Sequence, residues 1–199
     1  MPERLAIARS EFILGGQKSG KSRRAESLAA AWLAQGAAHR AVLIATARPM
    51  DAEMRARIAR HQRERAERVP GLAMIEAPHD VAAAIAGAGG AETLRIVDCL
   101  TLWLTQQLMP LMRMEGSESN EAPARSQSAQ TAMFLEAIER CPGPLVLVGN
   151  EIGLGVIPLG REVRAFVDAL GQLNQQVAAA CERVTLMVAG LPLTVKGVA

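Results

Sequence analysis

The feature that most restricts how this chain can fold is a glycine-rich segment, Gly15-x4-Gly20-Lys21-Ser22. It lies between a short apolar run, residues 11–14, and a segment with helical spacing, residues 21–35. Glycines let such a loop turn several backbone N–H groups inward, and the N-terminus of the next helix adds a partial positive charge. The segment therefore predicts a phosphate-binding P-loop that joins a strand to a helix. A glycine-rich turn that matches by chance is the alternative.

Two side chains of this loop have predicted roles in phosphate chemistry. Lys21 is expected to pair with the β- and γ-phosphates of a nucleoside triphosphate, and the Ser22 hydroxyl is expected to complete the coordination of Mg²⁺. The residues predicted to bind nucleotide here are Gly15, Gly16, Gln17, Lys18, Ser19, Gly20, Lys21 and Ser22.

The rest of the chain alternates short apolar runs with longer segments of helical period. Predicted strands cover residues 11–14, 41–45, 94–97, 145–148 and 184–189, with 72–75 as a further short strand. Predicted helices cover residues 21–35, 51–65, 100–112, 129–140 and 161–181. Because this alternation is typical of βαβ units, we predict an α/β fold with a mostly parallel central sheet flanked by helices.

Composition fits one domain of this kind, spanning residues 1–199. Half of the residues are hydrophobic but only 3% are aromatic, so the core must consist of Ala, Leu, Val, Ile and Met. Residues 1–10 are predicted to be an N-terminal extension. Residues 115–128, rich in Ser, Glu, Asn, Gln and Pro, are predicted to be a mobile insertion.

Charge and cysteine content count against several classes of protein. A net charge of +2 supplies no field that would recruit nucleic acid or an anionic membrane. Charges, Gly and Pro interrupt the Ala-rich runs, so we expect no membrane span. The three cysteines include no CxxC pair, which argues against a zinc site and a disulfide framework. A reducing cytoplasm is the simplest location.

Asp98 directly follows the predicted strand over residues 94–97, which is apolar except for Arg95. The carboxyl end of such a strand is where an open α/β sheet presents ligand-binding residues. A carboxylate there can hold a metal-bound water beside Ser22, so Ser22 and Asp98 together are predicted to bind Mg²⁺, partly through water. Capping of the next helix is the alternative, and the two roles are compatible.

His61 lies in the predicted helix over residues 51–65, and the sequence pattern leaves two interpretations of it. On a helix it shares a face with Met54, Ile58 and Arg65, which favours a histidine packed against the core. An imidazole can also attack an α-phosphorus and hold a nucleotidyl group. Five nearby arginines are candidates to stabilise that charge, or form a solvated helix face: Arg57, Arg60, Arg63, Arg65 and Arg68.

Residues 149–158 form a glycine-rich loop after the predicted strand over residues 145–148. Such loops often form binding edges or lids, so Asn150 and Glu151 are candidates to contact substrate or phosphate. A tight turn that needs glycine for positive φ is the equally open alternative.

Seven segments, in order along nearly the whole chain, resemble one enzyme family. They are GGQKSGKSRRAE, IATA, DAEMRARIARHQRER, IEAP, VDCLTLWL, VGNEIGLGVIP and VAGLPLTVK. Together they run from about Glu11 to Lys196, apart from residues 115–128. They resemble the bifunctional adenosylcobinamide kinase and adenosylcobinamide-phosphate guanylyltransferase family of cobalamin biosynthesis.

This resemblance implies a RecA-like P-loop fold and two reactions. ATP or GTP phosphorylates the aminopropanol hydroxyl of adenosylcobinamide, and GMP from GTP is then transferred onto that phosphate through a guanylylated histidine. The family's histidine matches His61. The implied nucleotide contacts, besides the P-loop, are Ala45, Thr46, Ala47, Gln62, Arg63, Glu64, Arg65, Glu76 and Asp98. Family members assemble as small rings, so a homo-oligomer, typically a trimer, is implied.

Two other functions stay open from the sequence. The chain could be a P-loop kinase for a small metabolite without any covalent histidine step. It could also be a GTP-dependent switch, but a switch is expected to carry a guanine-recognition motif, NKxD, and the sequence contains none.

Overall fold

The computed structural model describes residues 5–47, 52–108, 123–155 and 157–198. The elements along the chain are β1 (Ser10–Gly15), α1 (Lys21–Leu33), β2 (Arg40–Ala45), α2 (Ala52–Arg68), β3 (Leu72–Glu76), α3 (Val81–Gly87), β4 (Thr93–Asp98), α4 (Leu100–Leu108), α5 (Pro123–Arg140), β5 (Leu145–Val148), α6 (Arg161–Ala180), β6 (Arg183–Val188) and β7 (Leu191–Lys196).

The seven strands form one sheet in the order β3-β2-β4-β5-β1-β6-β7. Every neighbouring pair is parallel except β6 and β7, which are antiparallel. One strand, β5, separates the P-loop strand β1 from β4, the strand that ends at Asp98. The predicted α/β class, with a mostly parallel sheet flanked by helices, is confirmed.

Alternate residues of the central strands face two separate cores. Phe12 of β1 packs with residues of α3, α4, α5 and α6, whereas the next residue, Ile13, packs with α1. In β5, Leu145 and Leu147 join the first core while Val146 joins the second. Strands buried on both faces read as continuous apolar runs, which explains why these strands were predictable.

The observed elements differ from the predicted ones mainly at their ends. Helix α5 begins at Pro123, so residues 123–128 of the predicted insertion are helical. The remainder of that insertion and the predicted end of α4, to residue 112, lie outside the described residues. Ser10 belongs to β1, and Leu5 and Ile7 pack against the α1 core, so the end of the predicted extension contacts the domain. Helix α3 and strand β7 were not predicted.

The three cysteines, Cys99, Cys141 and Cys181, are buried and unpaired. Burial raises the pKa of the Cys99 thiol to about 11 and that of Cys181 to about 12. Both thiols therefore stay protonated and unreactive near neutral pH. None of the helices in the described part of the chain has the length and apolar composition that crossing a membrane requires.

Arg95 is fully buried in the middle of β4. No carboxylate pairs with it among the described residues, and its guanidinium instead donates hydrogen bonds to the backbone carbonyls of Ile85, Gly89, Gly90 and Thr93. These carbonyls belong to the end of α3, the loop after it and β4 itself. Arg95 thereby supplies donors to backbone carbonyls of this region, two of them at buried hydrogen bonds, those of Ile85 and Thr93.

We expect Arg95→Met to lower the free energy of unfolding by about 3 kcal/mol, because the carbonyls that the buried guanidinium binds lose their donor. Arg140→Met is the matched control, since its side chain is 79% exposed on α5 and pairs only with Glu136 in the described structure. That control should change stability by no more than about 0.5 kcal/mol. Urea unfolding followed by circular dichroism measures both, and equal stability of the two variants would contradict the role assigned to Arg95.

Candidate active site

The carboxyl ends of the parallel strands meet along one edge of the sheet, where an open α/β fold binds its ligands. This edge brings together the P-loop after β1, Asp98 at the end of β4 and Glu151 after β5. The turn after β2, residues 45–47, and Glu76 at the end of β3 lie along the same edge, farther from the P-loop.

The P-loop has a backbone that only glycine tolerates at one position. Gly15 has φ of 150°, and a Cβ added there would lie 2.6 Å from both the Met187 carbonyl oxygen and Ser19 Oγ. Gly20, with φ of 102°, caps α1, and Lys18 also has positive φ. The β6–β7 turn closes the loop from outside, because Gly190 N–H donates to the Ser19 carbonyl at 3.0 Å.

Lys21 is held inside this loop. Its Nζ donates to the carbonyl oxygens of Gly15 at 3.0 Å and Gly16 at 2.6 Å. Burial lowers the pKa of Lys21, which nearby Cys99 and Asp98 only partly offset. An anionic ligand in the loop would raise this pKa, as expected for a phosphate-binding lysine.

Ser22 and Asp98 are hydrogen-bonded to each other, with Ser22 Oγ 3.1 Å from Asp98 Oδ2. Arg65 of α2 approaches the same oxygen, its Nη2 at 3.5 Å. Burial raises the pKa of Asp98, against the opposing effects of Arg65 and Ser22. The carboxylate faces the P-loop, so its described contacts favour the ligand-binding prediction over the helix cap.

Arg65 and Arg68 connect α2 to α1 through a buried carboxylate, Glu26. Arg65 Nε lies 3.0 Å from Glu26 Oε1, and Arg68 Nε lies 2.8 Å from Glu26 Oε2. The hydrogen bond to Glu26 raises the pKa of Arg68. Arg65 thus contacts both Glu26 and Asp98, and fixes the C-terminal half of α2 beside the P-loop helix.

One polar atom of the loop lacks a partner in the described structure. Ser19 Oγ is buried and makes no hydrogen bond to a described residue. It lies where a Gly15 side chain would be, close to the loop backbone. A phosphate oxygen would accept this hydroxyl, so the loop's donor set fits the anion that the sequence predicts.

The turn after β2 is tied to the residue that follows Asp98. Thr46 is fully buried, and its Oγ1 donates to the Cys99 carbonyl at 2.8 Å and accepts from Cys99 N–H at 2.9 Å. Gln106 of α4 donates to the Thr46 carbonyl. Thr46 therefore uses its hydroxyl to join the ends of β2 and β4, leaving Ala45 and Ala47 half-buried at the edge.

The other predicted nucleotide contacts lie on α2 and β3. Gln62 contacts Met74 of β3, Arg63 is exposed, and Glu64 pairs with Arg68 at 3.7 Å. Glu76 is exposed and lies four strands from β1, or about 19 Å at the usual strand spacing. The predicted contacts therefore form two groups, one at the P-loop and one along α2 and β3, with Arg65 between them.

His61 lies in α2, one helical turn before Arg65. Its side chain is outside the described part of the structure, as is that of Arg57. Ile58, three residues earlier on the same face, is only half-buried, and no described side chain of α2 is fully buried. The role of His61 therefore remains a prediction.

Two polar residues near this edge, Glu26 and Asn174, were not predicted from the sequence. Both sit at helix positions that spacing assigns to the core, and both are nearly fully buried. The one signal in the sequence was a polar residue at a helix position where the spacing of apolar residues predicts burial. The partners of Glu26 are 39 and 42 residues away.

Comparisons with known proteins agree with these features. Residues 11–195 match the family model described as Cobinamide kinase / cobinamide phosphate guanyltransferase. The bifunctional adenosylcobalamin biosynthesis protein CobP of Pseudomonas aeruginosa is 44% identical over 187 residues, covering 94% of this chain and 97% of the relative. The protein CobU of Escherichia coli, which carries the same description, is 32% identical and covers 93% of this chain and 98% of the relative.

Among solved structures, the flagellar accessory protein FlaH from Methanocaldococcus jannaschii superposes with a TM-score of 0.48 and 13% identity. The match covers 96% of this chain and 80% of that one. At that level of similarity it adds nothing to the fold already described.

Proposed function

The chain belongs to the cobinamide kinase / cobinamide phosphate guanyltransferase family, and we propose that it carries out two consecutive transfers on adenosylcobinamide. It is an enzyme of cobalamin biosynthesis, as the resemblance of the seven segments implied. The first proposed reaction phosphorylates adenosylcobinamide with ATP or GTP. The second transfers GMP from GTP onto the new phosphate and gives adenosylcobinamide-GDP.

The observation that carries the first reaction is the group of Lys21, Ser22 and Asp98 around the P-loop. The aminopropanol hydroxyl oxygen attacks the γ-phosphorus, the bond to the β–γ bridging oxygen breaks, and the nucleoside diphosphate leaves. Lys21 stabilises the charge on the transferring group, and backbone N–H groups of the loop bind the β-phosphate. The proton released by the hydroxyl requires an acceptor at the same edge.

The donor set at Ser22 and Asp98 fits Mg²⁺. Both offer oxygen, the ligand atom that this ion prefers, and their oxygens lie 3.1 Å apart. Few protein ligands suffice, because Mg²⁺ keeps several waters and binds substrate phosphates. When bound, the ion neutralises charge on the phosphates. Ser22 and Asp98 would hold it, in part through water, and Arg65 would then be free to contact phosphate instead of Asp98.

For the second reaction we propose His61 as the nucleophile. An imidazole nitrogen attacks the α-phosphorus of GTP, the bond to the α–β bridging oxygen breaks, and pyrophosphate leaves. A phosphate oxygen of adenosylcobinamide phosphate then displaces the histidine. Support comes from the position of His61 one turn before Arg65, which the contact with Asp98 holds at the edge of the P-loop.

Because the predicted nucleotide contacts form two separate groups, we propose two substrate-binding sites at this edge of the sheet. A single nucleotide would have to reach about 19 Å along the strand ends to touch both the P-loop and Glu76. We therefore assign phosphate binding to Gly15–Ser22 and guanosine binding in the second reaction to residues 45–47, Gln62–Arg65 and Glu76. A ring-shaped homo-oligomer, typically a trimer, and a cytoplasmic location remain predictions.

Product analysis tests this proposal. The purified protein is incubated with adenosylcobinamide and Mg²⁺, with ATP alone and then after addition of GTP. We expect the phosphate ester with ATP alone and its conversion to adenosylcobinamide-GDP once GTP is added, both identified by mass spectrometry. Phosphorylation that never proceeds to the GDP derivative would favour a simple kinase.

Asp98→Asn is expected to weaken the apparent affinity for Mg²⁺ roughly 10–100-fold and to reduce both activities, because the carboxylate that orients metal-bound water is lost. Asp168→Asn is the matched control, since Asp168 is exposed on α6. Initial rates are measured across a Mg²⁺ titration. Superimposable curves for Asp98→Asn and Asp168→Asn would show that Asp98 does not position the metal.

A further inference from the structure

A second carboxylate stands beside the P-loop and has no role in the reactions described above. Glu151 follows β5, the strand between β1 and β4, so it lies at the same edge as Lys21 and Asp98. Its backbone N–H donates to the Gly15 carbonyl at 3.2 Å. The same carbonyl accepts Lys21 Nζ at 3.0 Å, so one oxygen atom links Glu151 to the phosphate-binding lysine.

The Glu151 side chain is oriented by a buried amide. Asn174 of α6 is only 4% exposed, and its Nδ2 donates to the Asn150 carbonyl at 3.1 Å and to Glu151 Oε2 at 3.3 Å. Because both partners are acceptors, the amide nitrogen must face them, and the orientation of Asn174 is unambiguous. Its Oδ1 is buried and has no partner in the described structure.

The other acidic groups near the P-loop are already engaged. Glu26 is bound by Arg65 and Arg68, and Asp98 by Ser22 and Arg65. Glu76 lies four strands from β1. Among the described residues Glu151 pairs with no cation, so its carboxylate is the one at this position that remains available to accept a proton.

The chain after Glu151 is suited to an organic substrate rather than to a triphosphate. Four large apolar side chains of this loop are exposed: Ile152, Leu154, Ile157 and Leu159. The carboxylate of Glu151 also repels a phosphate group, whereas the hydroxyl group of an alcohol can donate a hydrogen bond to this carboxylate. The side of the P-loop that carries Glu151 therefore favours the alcohol over the nucleotide.

We propose that Glu151 is the catalytic base of the phosphorylation step, and that Asn174 is its positioning residue. This assignment rests on the proposed kinase function. The substrate hydroxyl donates its hydrogen to the Glu151 carboxylate while its oxygen forms the bond to the γ-phosphorus. The bond to the β–γ bridging oxygen breaks, the nucleoside diphosphate leaves, and Glu151 afterwards releases the proton to water.

Glu151→Gln tests this role with little structural change, because the amide oxygen still accepts from Asn174. We expect kcat of adenosylcobinamide phosphorylation to fall about 10²–10⁴-fold, with KM for ATP changed by no more than about threefold. Guanylyl transfer to chemically prepared adenosylcobinamide phosphate should stay within about threefold of wild type, since that step needs no proton acceptor for a hydroxyl. Glu162→Gln, at an exposed position in the first turn of α6, controls for the loss of charge.

Each outcome decides between specific alternatives. Phosphorylation within about threefold of wild type in Glu151→Gln would overturn the assignment of the base. Parallel loss of both reactions would also overturn it, because a structural residue affects them equally. A wild-type protein that phosphorylates no adenosylcobinamide would instead contradict the proposed function itself. Asn174→Ala gives a second measurement, and we expect it to lower the phosphorylation kcat but not guanylyl transfer.

Discussion

Lys21→Ala should lower kcat/KM of the phosphorylation reaction by about 10²–10³-fold, because it removes a positioned cation from the charge that develops on the transferring group. The structure supports a large effect, since Lys21 is buried and its Nζ is held against the loop carbonyls of Gly15 and Gly16. Burial lowers the pKa of Lys21, and a bound phosphate would oppose that shift.

Arg23→Ala is the matched control for this variant, because Arg23 is an exposed cation two residues farther along α1. Circular dichroism should show that both variants are folded. We expect the Arg23 variant to keep its rate within about twofold of wild type. Near-normal phosphorylation by a folded Lys21→Ala protein would mean that the loop does not bind the transferred phosphate.

His61→Ala should abolish guanylyl transfer and the labelling of the protein by α-labelled GTP. An imidazole is the attacking group in the proposed mechanism, and no alanine can replace it. Phosphorylation should remain measurable, because the first reaction uses the P-loop, Ser22 and Asp98. The label on wild type should be released by acid and resist base, as expected for a phosphoramidate.

His79→Ala is the control for this variant, since His79 lies before α3 and its carbonyl accepts from Trp103. It should retain the label. Label on the His61→Ala protein, or none on wild type while GTP is consumed, would exclude a covalent intermediate at this residue.

The sequence predicted the parts of the fold that local periodicity controls. β1, β2, β4 and β5 are buried on both faces, so each contains a run that is apolar or nearly so, interrupted in β4 only by Arg95. β7 was missed for a different reason. It is an edge strand that contains Pro192, and a proline within such a run counts against a strand in the sequence.

The part of the site at the strand ends was predictable, because the order of strands and helices along the chain determines where those residues lie. Ser22 and Asp98 are 76 residues apart, yet a P-loop after one parallel strand and an acid after another must meet at the same sheet edge. That reasoning requires only the positions at which the strands end. It predicted that Ser22 and Asp98 lie close together without any knowledge of side-chain packing.

The other half depends on how helices pack, which spacing does not determine. Glu26 occupies a position on α1 that belongs to its buried face, and only the approach of α2 brings Arg65 and Arg68 to it. Asn174 likewise sits among apolar residues of α6 and finds Glu151 through the loop after β5. Contacts of this kind appear only when the elements are assembled.

The central claim is that one chain performs both transfers, and a double-label experiment tests it most directly. Wild-type protein is incubated with adenosylcobinamide, Mg²⁺ and GTP that carries one label at the α-phosphorus and a distinguishable label at the γ-phosphorus. The γ-label should enter first, in the phosphate ester, and both labels should then appear in adenosylcobinamide-GDP. A product that contains the γ-label but never the α-label would contradict the claim and leave a simple kinase.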